Sequence, residues 1–271
     1  MITDFDDAYA NGAHIAGAAD YPPRWAAKAE AFRAGRLSEH RAEIDIPYGE
    51  SPRQMFDLFL PADHAKGLAV FVHGGYWKAF GKSDWSHLAA GALDNGWAVA
   101  LPGYTLAPQA RITEIGREIA AAITALAERI EGPIRLSGHS AGGHLVTRMI
   151  CEGTSLAPHI PSRIEHVLSI SGVHDLRPIR RTAMNEILHI DDAEAMAESP
   201  ALLAPVVSCP VTCFVGANER PEFVRQTHLL ASIWTGLGAE IRSIEAPHKH
   251  HFDVIDGLED TNHPLCRLFA P

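Results

Sequence analysis

The chain has little of what would bind nucleic acid, cross a membrane or staple a fold covalently. Lys and Arg number 23 against 33 Asp and Glu in 271 residues, a formal net charge of −10. Nucleic-acid phosphates are held by dense Lys/Arg surfaces, so no nucleic acid partner is expected. No stretch approaches the roughly 18 consecutive apolar residues of a membrane span, and no membrane partner is expected either. The opening MITDFDDAYANG lacks a basic segment followed by an apolar run, so it does not read as a signal peptide. The only cysteines are Cys151, Cys209, Cys213 and Cys266, with no CxxC spacing. Cys209 and Cys213 fall in a predicted strand, where four residues span about 13 Å, beyond the ~7 Å reach of a disulfide. These are the thiols of a reducing compartment, and the cytoplasm is the default. Sixteen histidines raise the question of a metal. HExxH and the spaced Asp/His sets of dinuclear hydrolases are absent, so neither a metal nor a cofactor is expected.

What is present is an ordinary globular composition, 46% apolar, without repeats, low-complexity tracts or an interdomain linker. Residues 1–271 therefore read as one domain. Within it, residues 1–40 form an N-terminal helical extension, with one helix over 23–34 started by Pro22-Pro23 and stopped by Gly35. Whether this extension caps the sheet or lies on its edge stays open. Residues 43–47 and 55–60 alternate apolar and polar, as in an antiparallel edge with one wet side. From Gly67 onward, short apolar runs alternate with helical stretches: LAVFV, WAVAL, PIRLS, IEHVLSIS, VTCFV and AEIRSIEA. Between the second and third, Ile112, Ile115, Ile119, Ile123, Leu126 and Ile130 make one apolar helical stripe. The pattern predicts an α/β fold, a mostly parallel doubly wound sheet with helices on both faces. In such sheets the working residues sit on loops at the C-terminal strand ends.

The third run leads into Gly138-His139-Ser140-Ala141-Gly142-Gly143, a G-x-S-x-G between strand and helix. So tight a turn strains the central residue and lifts the Ser140 hydroxyl above the sheet, at a helix N-terminus that favours developing negative charge. The first of the runs ends in His73-Gly74-Gly75-Tyr76-Trp77. Its Gly74 and Gly75 N–H groups, with that of Ala141, are candidates for an oxyanion hole, each donor worth about 10²–10³ in rate. By loop position Tyr76, Trp77, His139 and Tyr104 are candidate substrate-binding residues.

With this nucleophile turn the chain order is serine, then acid, then histidine. Glu219 follows the strand VTCFV, and His248-Lys249-His250-His251 follows the last strand. His251 is the expected base because it directly precedes an apolar helical start (Phe252, Val254, Ile255), with His248 and His250 as reserves. Glu219 would hold its tautomer. Asp175 is the rival acid, although an N-cap role suits it as well.

These segments resemble the kynurenine formamidase (arylformamidase) branch of the α/β-hydrolases. The resemblance is carried by HGGYW, GHSAGGH, SGVHDLRP, Asn185-Glu186 with Ser199-Pro200, ERPEFVRQ and HFDVI, and runs from about Tyr21 to Ile255. HGGYW is its most specific element, since related lipase-like esterases usually carry a third glycine where Tyr76 stands. The family's acid is commonly Asp, so Glu219 is a departure. The resemblance implies an α/β-hydrolase fold, no cofactor, and hydrolysis of N-formylkynurenine to kynurenine and formate through a formyl-enzyme on Ser140. Small aryl amides and esters are the expected substrates, with a short-acyl carboxylesterase or a non-catalytic binding protein as alternatives. A homodimer is left open.

Overall fold

Eight strands build one sheet in the computed structural model, which describes residues 3–271. They are β1 (Ala42–Pro47), β2 (Met55–Phe59), β3 (Leu68–Val72), β4 (Ala98–Pro102), β5 (Ile134–His139), β6 (Ile164–Ile170), β7 (Val211–Gly216) and β8 (Ile241–Ala246). Their spatial order is β1-β2-β4-β3-β5-β6-β7-β8. The pairings β1–β2 and β2–β4 are antiparallel, and from β4 to β8 every pairing is parallel. The helices are α1 (Phe5–Tyr9), α2 (Tyr21–Ser38), α3 (Ala90–Asp94), α4 (Ile112–Arg129), α5 (Ala141–Arg148), α6 (Asn185–Leu188), α7 (Asp192–Ala197), α8 (Pro221–Gly236) and α9 (Pro264–Phe269).

The central strands are apolar without a break because each face of the sheet is covered. Alternate side chains point to opposite faces. Leu68, Val70 and Val72 join one core layer with Ile115, Ile119 and Ile123 of α4, Leu145 of α5 and Trp234 of α8. Ala69 and Phe71 join the other with Trp25 of α2, Leu93 of α3 and Phe269 of α9. Each fully buried Ile of α4 contributes roughly 1.5–3 kcal/mol of transfer free energy. The expected stripe thus lies where its period put it, except that Ile130 caps the helix from outside it, its N–H bonded to Leu126 O.

Two expectations need correction. Gly35 does not stop α2, which continues to Ser38; Gly35 O accepts from Ser38 Oγ at 2.7 Å and from Glu39 N at 3.2 Å. Nor does β2 have a wet side. It lies between β1 and β4, and Asp57, the residue that made its pattern alternate, is fully buried. Asp57 accepts from the buried Lys82 ammonium and, at 3.0 Å, from the N–H of Asp45 in a bulge of β1. Alternation reported a buried ion pair whose partner stands 25 residues away. Removing one member of such a pair strands the other. Asp57→Asn should therefore lower stability by about 3 kcal/mol, read as a shift of the urea midpoint at constant slope. A loss under about 1 kcal/mol would mean that Asp45 alone satisfies Lys82.

All four cysteines are buried and unpaired. No described helix is long and apolar enough to cross a membrane, and no described cluster of three His, Cys, Asp or Glu side chains has metal-binding geometry.

Candidate active site

Ser140 sits between β5 and α5 at φ 56°, ψ −114°, a conformation that non-glycine residues rarely adopt. Packing enforces it. A Cβ on Gly142 would stand 1.9 Å from Val72 O, and one on Gly138 would stand 2.2 Å from Gly142 O. Only glycine at both positions lets the turn close, and the Ser140 N–H is tied to Ile170 O at 2.8 Å. The small residues of the motif are there for clearance as much as for flexibility.

The loop after β3 lies against this turn. A side chain on Gly74 would meet Ser140 Cβ at 3.1 Å and His139 O at 2.8 Å. The N–H groups of Gly74, Gly75 and Ala141 find no acceptor among the described residues. Behind the loop, His73 Nδ1 donates to Gly74 O at 2.7 Å, which fixes that carbonyl's direction and hence the peptide's. Burial pushes the His73 pKa down to about 4, so the ring stays neutral. Tyr104 stacks on it at 4.3 Å between centroids and donates its hydroxyl to His73 O at 3.0 Å.

Glu219 and His251 meet in a buried contact. His251 Nδ1 donates to Glu219 Oε2 at 2.6 Å, which leaves Nε2 as the lone-pair nitrogen. The other carboxylate oxygen, Oε1, accepts from Ser171 Oγ at 2.5 Å and from Gly216 N at 2.8 Å. The loops carrying the two residues are joined by Asn218 N–H to Lys249 O at 2.9 Å. His139 Nε2 donates to His251 O at 3.0 Å and brings its ring to 4.6 Å from that of His251. Burial, and then the neighbouring His251, holds His139 well below the usual imidazole range. Of the two reserves, His250 turns to Tyr21 and Asp253, and His248 is exposed. Asp175 is engaged elsewhere, with a bidentate pair to Arg177 at 2.9 Å on both oxygens.

Ser140, His139 and His251 line a cavity of about 320 Å³. Trp25, Phe80, Trp85 and Phe252 form an aromatic wall, with Trp25 and Trp85 4.7 Å apart and Trp25 and Phe252 5.3 Å apart. Tyr9, Asn11, Tyr76, Lys78 and Met184 line it as well. The segment before β1 is held in place by polar contacts. Asp6 accepts from Ala183 N–H at 2.7 Å, Asp7 pairs with Arg220, and Tyr9 OH donates to Glu222 at 2.8 Å. Tyr76 OH donates to Tyr9 O at 2.6 Å, so its oxygen accepts from Asn11 Nδ2 at 3.3 Å. That assignment leaves Asn11 Oδ1 buried without a partner among the described residues.

Tyr76 and His139 thus lie where the sequence put them, and two other expected pocket residues do not. Trp77 is fully buried away from the cavity, edge-on to His144 at 5.1 Å, because φ 55° turns it inward. Tyr104 is fully buried behind His73, supporting the loop from below. Sequence alone gives no signal for the wall residues Tyr9, Asn11, Trp25, Phe80, Trp85, Met184 and Phe252, since none belongs to a chemical motif. The signal for Lys78 is its place directly after HGGYW.

Relatives of known name bear on this geometry. The chain is 29% identical over 236 residues to a kynurenine formamidase of Danio rerio, covering 83% of this chain and 80% of that protein. It matches a crystal structure from Silicibacter sp. TM1040, described as a candidate thioesterase, with TM-score 0.94, 50% identity and 99% of each chain covered. An inhibited esterase B from Lactobacillus rhamnosis, 19% identical with TM-score 0.67 over 93% of this chain and 92% of its own, shares the fold. The alpha/beta hydrolase family model matches residues 69–266, which takes in the sheet from β3 to β8 together with Ser140, Glu219 and His251, and the chain belongs to that family.

Proposed function

We propose that this chain is a serine hydrolase that cleaves small aryl amides or esters through an acyl-enzyme on Ser140, and that its sharpest version is the hydrolysis of N-formylkynurenine to kynurenine and formate. The observation that carries the reading is the buried 2.6 Å bond from His251 Nδ1 to Glu219, in a cavity also lined by Ser140. The kynurenine formamidase likeness supports the formamide version.

On this reading His251 Nε2 removes the Ser140 proton as the oxygen attacks the acyl carbon, while Glu219 stabilises the imidazolium. The oxyanion is met by the N–H groups of Gly74, Gly75 and Ala141. Collapse expels the aryl amine or alcohol, which takes the proton from His251. Water, deprotonated by the same ring, then attacks the acyl-enzyme and releases the acid. His139 stays neutral and acts by holding the His251 backbone. The chain is then one hydrolase domain, in which residues 3–40 serve as a partial cap through Tyr9, Asn11 and Trp25.

Tyr76 and Phe80 crowd the oxyanion loop, so turnover of nitrophenyl esters should fall from formate through acetate to butyrate. A preference for butyrate would reject the small-acyl reading, and direct assay of N-formylkynurenine separates formamidase from carboxylesterase. Labelling by a serine-directed phosphonate separates both from a protein that only binds. The Silicibacter relative favours a second reading, a thioesterase. The steps are the same, except that the thiolate can leave before it takes the His251 proton, which it accepts before water is activated. Higher kcat/KM on an aryl thioacetate than on the matched acetate would favour it.

A further inference from the structure

The cavity is apolar and aromatic apart from one charge. Among the described residues, Lys78 is its only lining Lys, Arg, Asp or Glu. Lys28, Lys82 and Lys249 each find a carboxylate, whereas Lys66 and the half-buried Lys78 pair with no Asp or Glu among the described residues. An apolar cavity lined by a single cationic residue is complementary to a ligand that carries one anionic group.

We propose that Lys78 is a specificity-determining residue that selects substrates carrying a carboxylate on the leaving group, away from the scissile bond. The inference rests on the serine-hydrolase reading and narrows its substrate class to anionic aryl amides and esters. Lys78 pairs with the carboxylate in the ground state and the transition state alike, so it acts on KM more than on kcat.

The test compares acetoxynitrobenzoate with its neutral methyl ester. The wild-type protein should prefer the anion in kcat/KM. Lys78→Met should lower that preference about tenfold, the scale of one charge-assisted contact, chiefly through KM. Lys78→Arg should restore the preference and Lys78→Glu should reverse it. A preference ratio that is the same in Lys78→Met as in the wild type overturns the proposal. A second arm needs no turnover. Binding of the product hydroxynitrobenzoate to the Ser140→Ala protein, followed by quenching of tryptophan fluorescence, should weaken about tenfold when Lys78→Met is added. Equal binding overturns the proposal too. Failure of the serine-hydrolase reading would show differently, as no turnover of either ester and no phosphonate label on Ser140, while the binding arm still decides the role of Lys78.

Discussion

Ser140→Ala should cut kcat by about 10⁴-fold or more, while the oxyanion donors and the cavity keep a residual rate above that in water. The acyl-enzyme cannot form without the hydroxyl, so phosphonate labelling should vanish with it. The same position offers an independent check on the turn. A side chain held in so sparsely populated a region costs roughly 1–3 kcal/mol. Ala keeps that strain and Gly releases it. Ser140→Gly should therefore unfold at higher urea than Ser140→Ala, by about 1 kcal/mol, although both lack the hydroxyl. Equal midpoints would mean that residue 140 stores no strain. A Ser140→Ala protein within tenfold of wild-type kcat would end the proposed mechanism altogether.

Glu219→Gln should cost nearly as much, about 10⁴-fold in kcat, with little change in fold. The reason lies in the donors around the carboxylate. Ser171 Oγ and Gly216 N–H both point at Oε1 and will hold the carbonyl oxygen of glutamine there. Its NH₂ group must then face His251 Nδ1, where it can only donate. That forces the proton of His251 onto Nε2, the nitrogen that has to accept from Ser140. The loss is of tautomer as well as of charge. Rates measured on nitrophenyl acetate, with circular dichroism to verify the fold, check it; a loss of less than about 100-fold would assign Glu219 a packing role.

How much of this was legible depended on how local the cause is. The turn at Gly138–Gly142 is announced by its own glycines, so the motif sufficed even though the contact that Gly142 clears, Val72 O, comes from β3. The stripe of α4 and the buried strands follow from periodicity, and they appeared at the expected places within a residue or two. Of the three histidines after β8, His251 is the one that meets Glu219, and the apolar residues after it, Val254 and Ile255, enter the core and fix its loop. Asp57 misled because its partner, Lys82, is brought to it by folding. Trp77 misled because an aromatic beside an oxyanion loop reads as pocket, whereas consecutive positive φ angles at Tyr76 and Trp77 send the two rings to different surroundings. Tyr9 and Asn11 were invisible for a related reason. Their place in the cavity is set by Glu222 and Tyr76, more than sixty residues away in each case.

The proposed nucleophile turn and the N-terminal residues that line the cavity are secured by unlike means. The former is wedged where backbone meets backbone, with no room for even a methyl group at Gly142. The latter hang from side-chain links such as Asp6, Asp7 and Tyr9, which substitution can loosen singly. On the proposed reading, the stretch ahead of β1 can therefore be altered to change what the cavity accepts while the turn that holds Ser140 stays as it is.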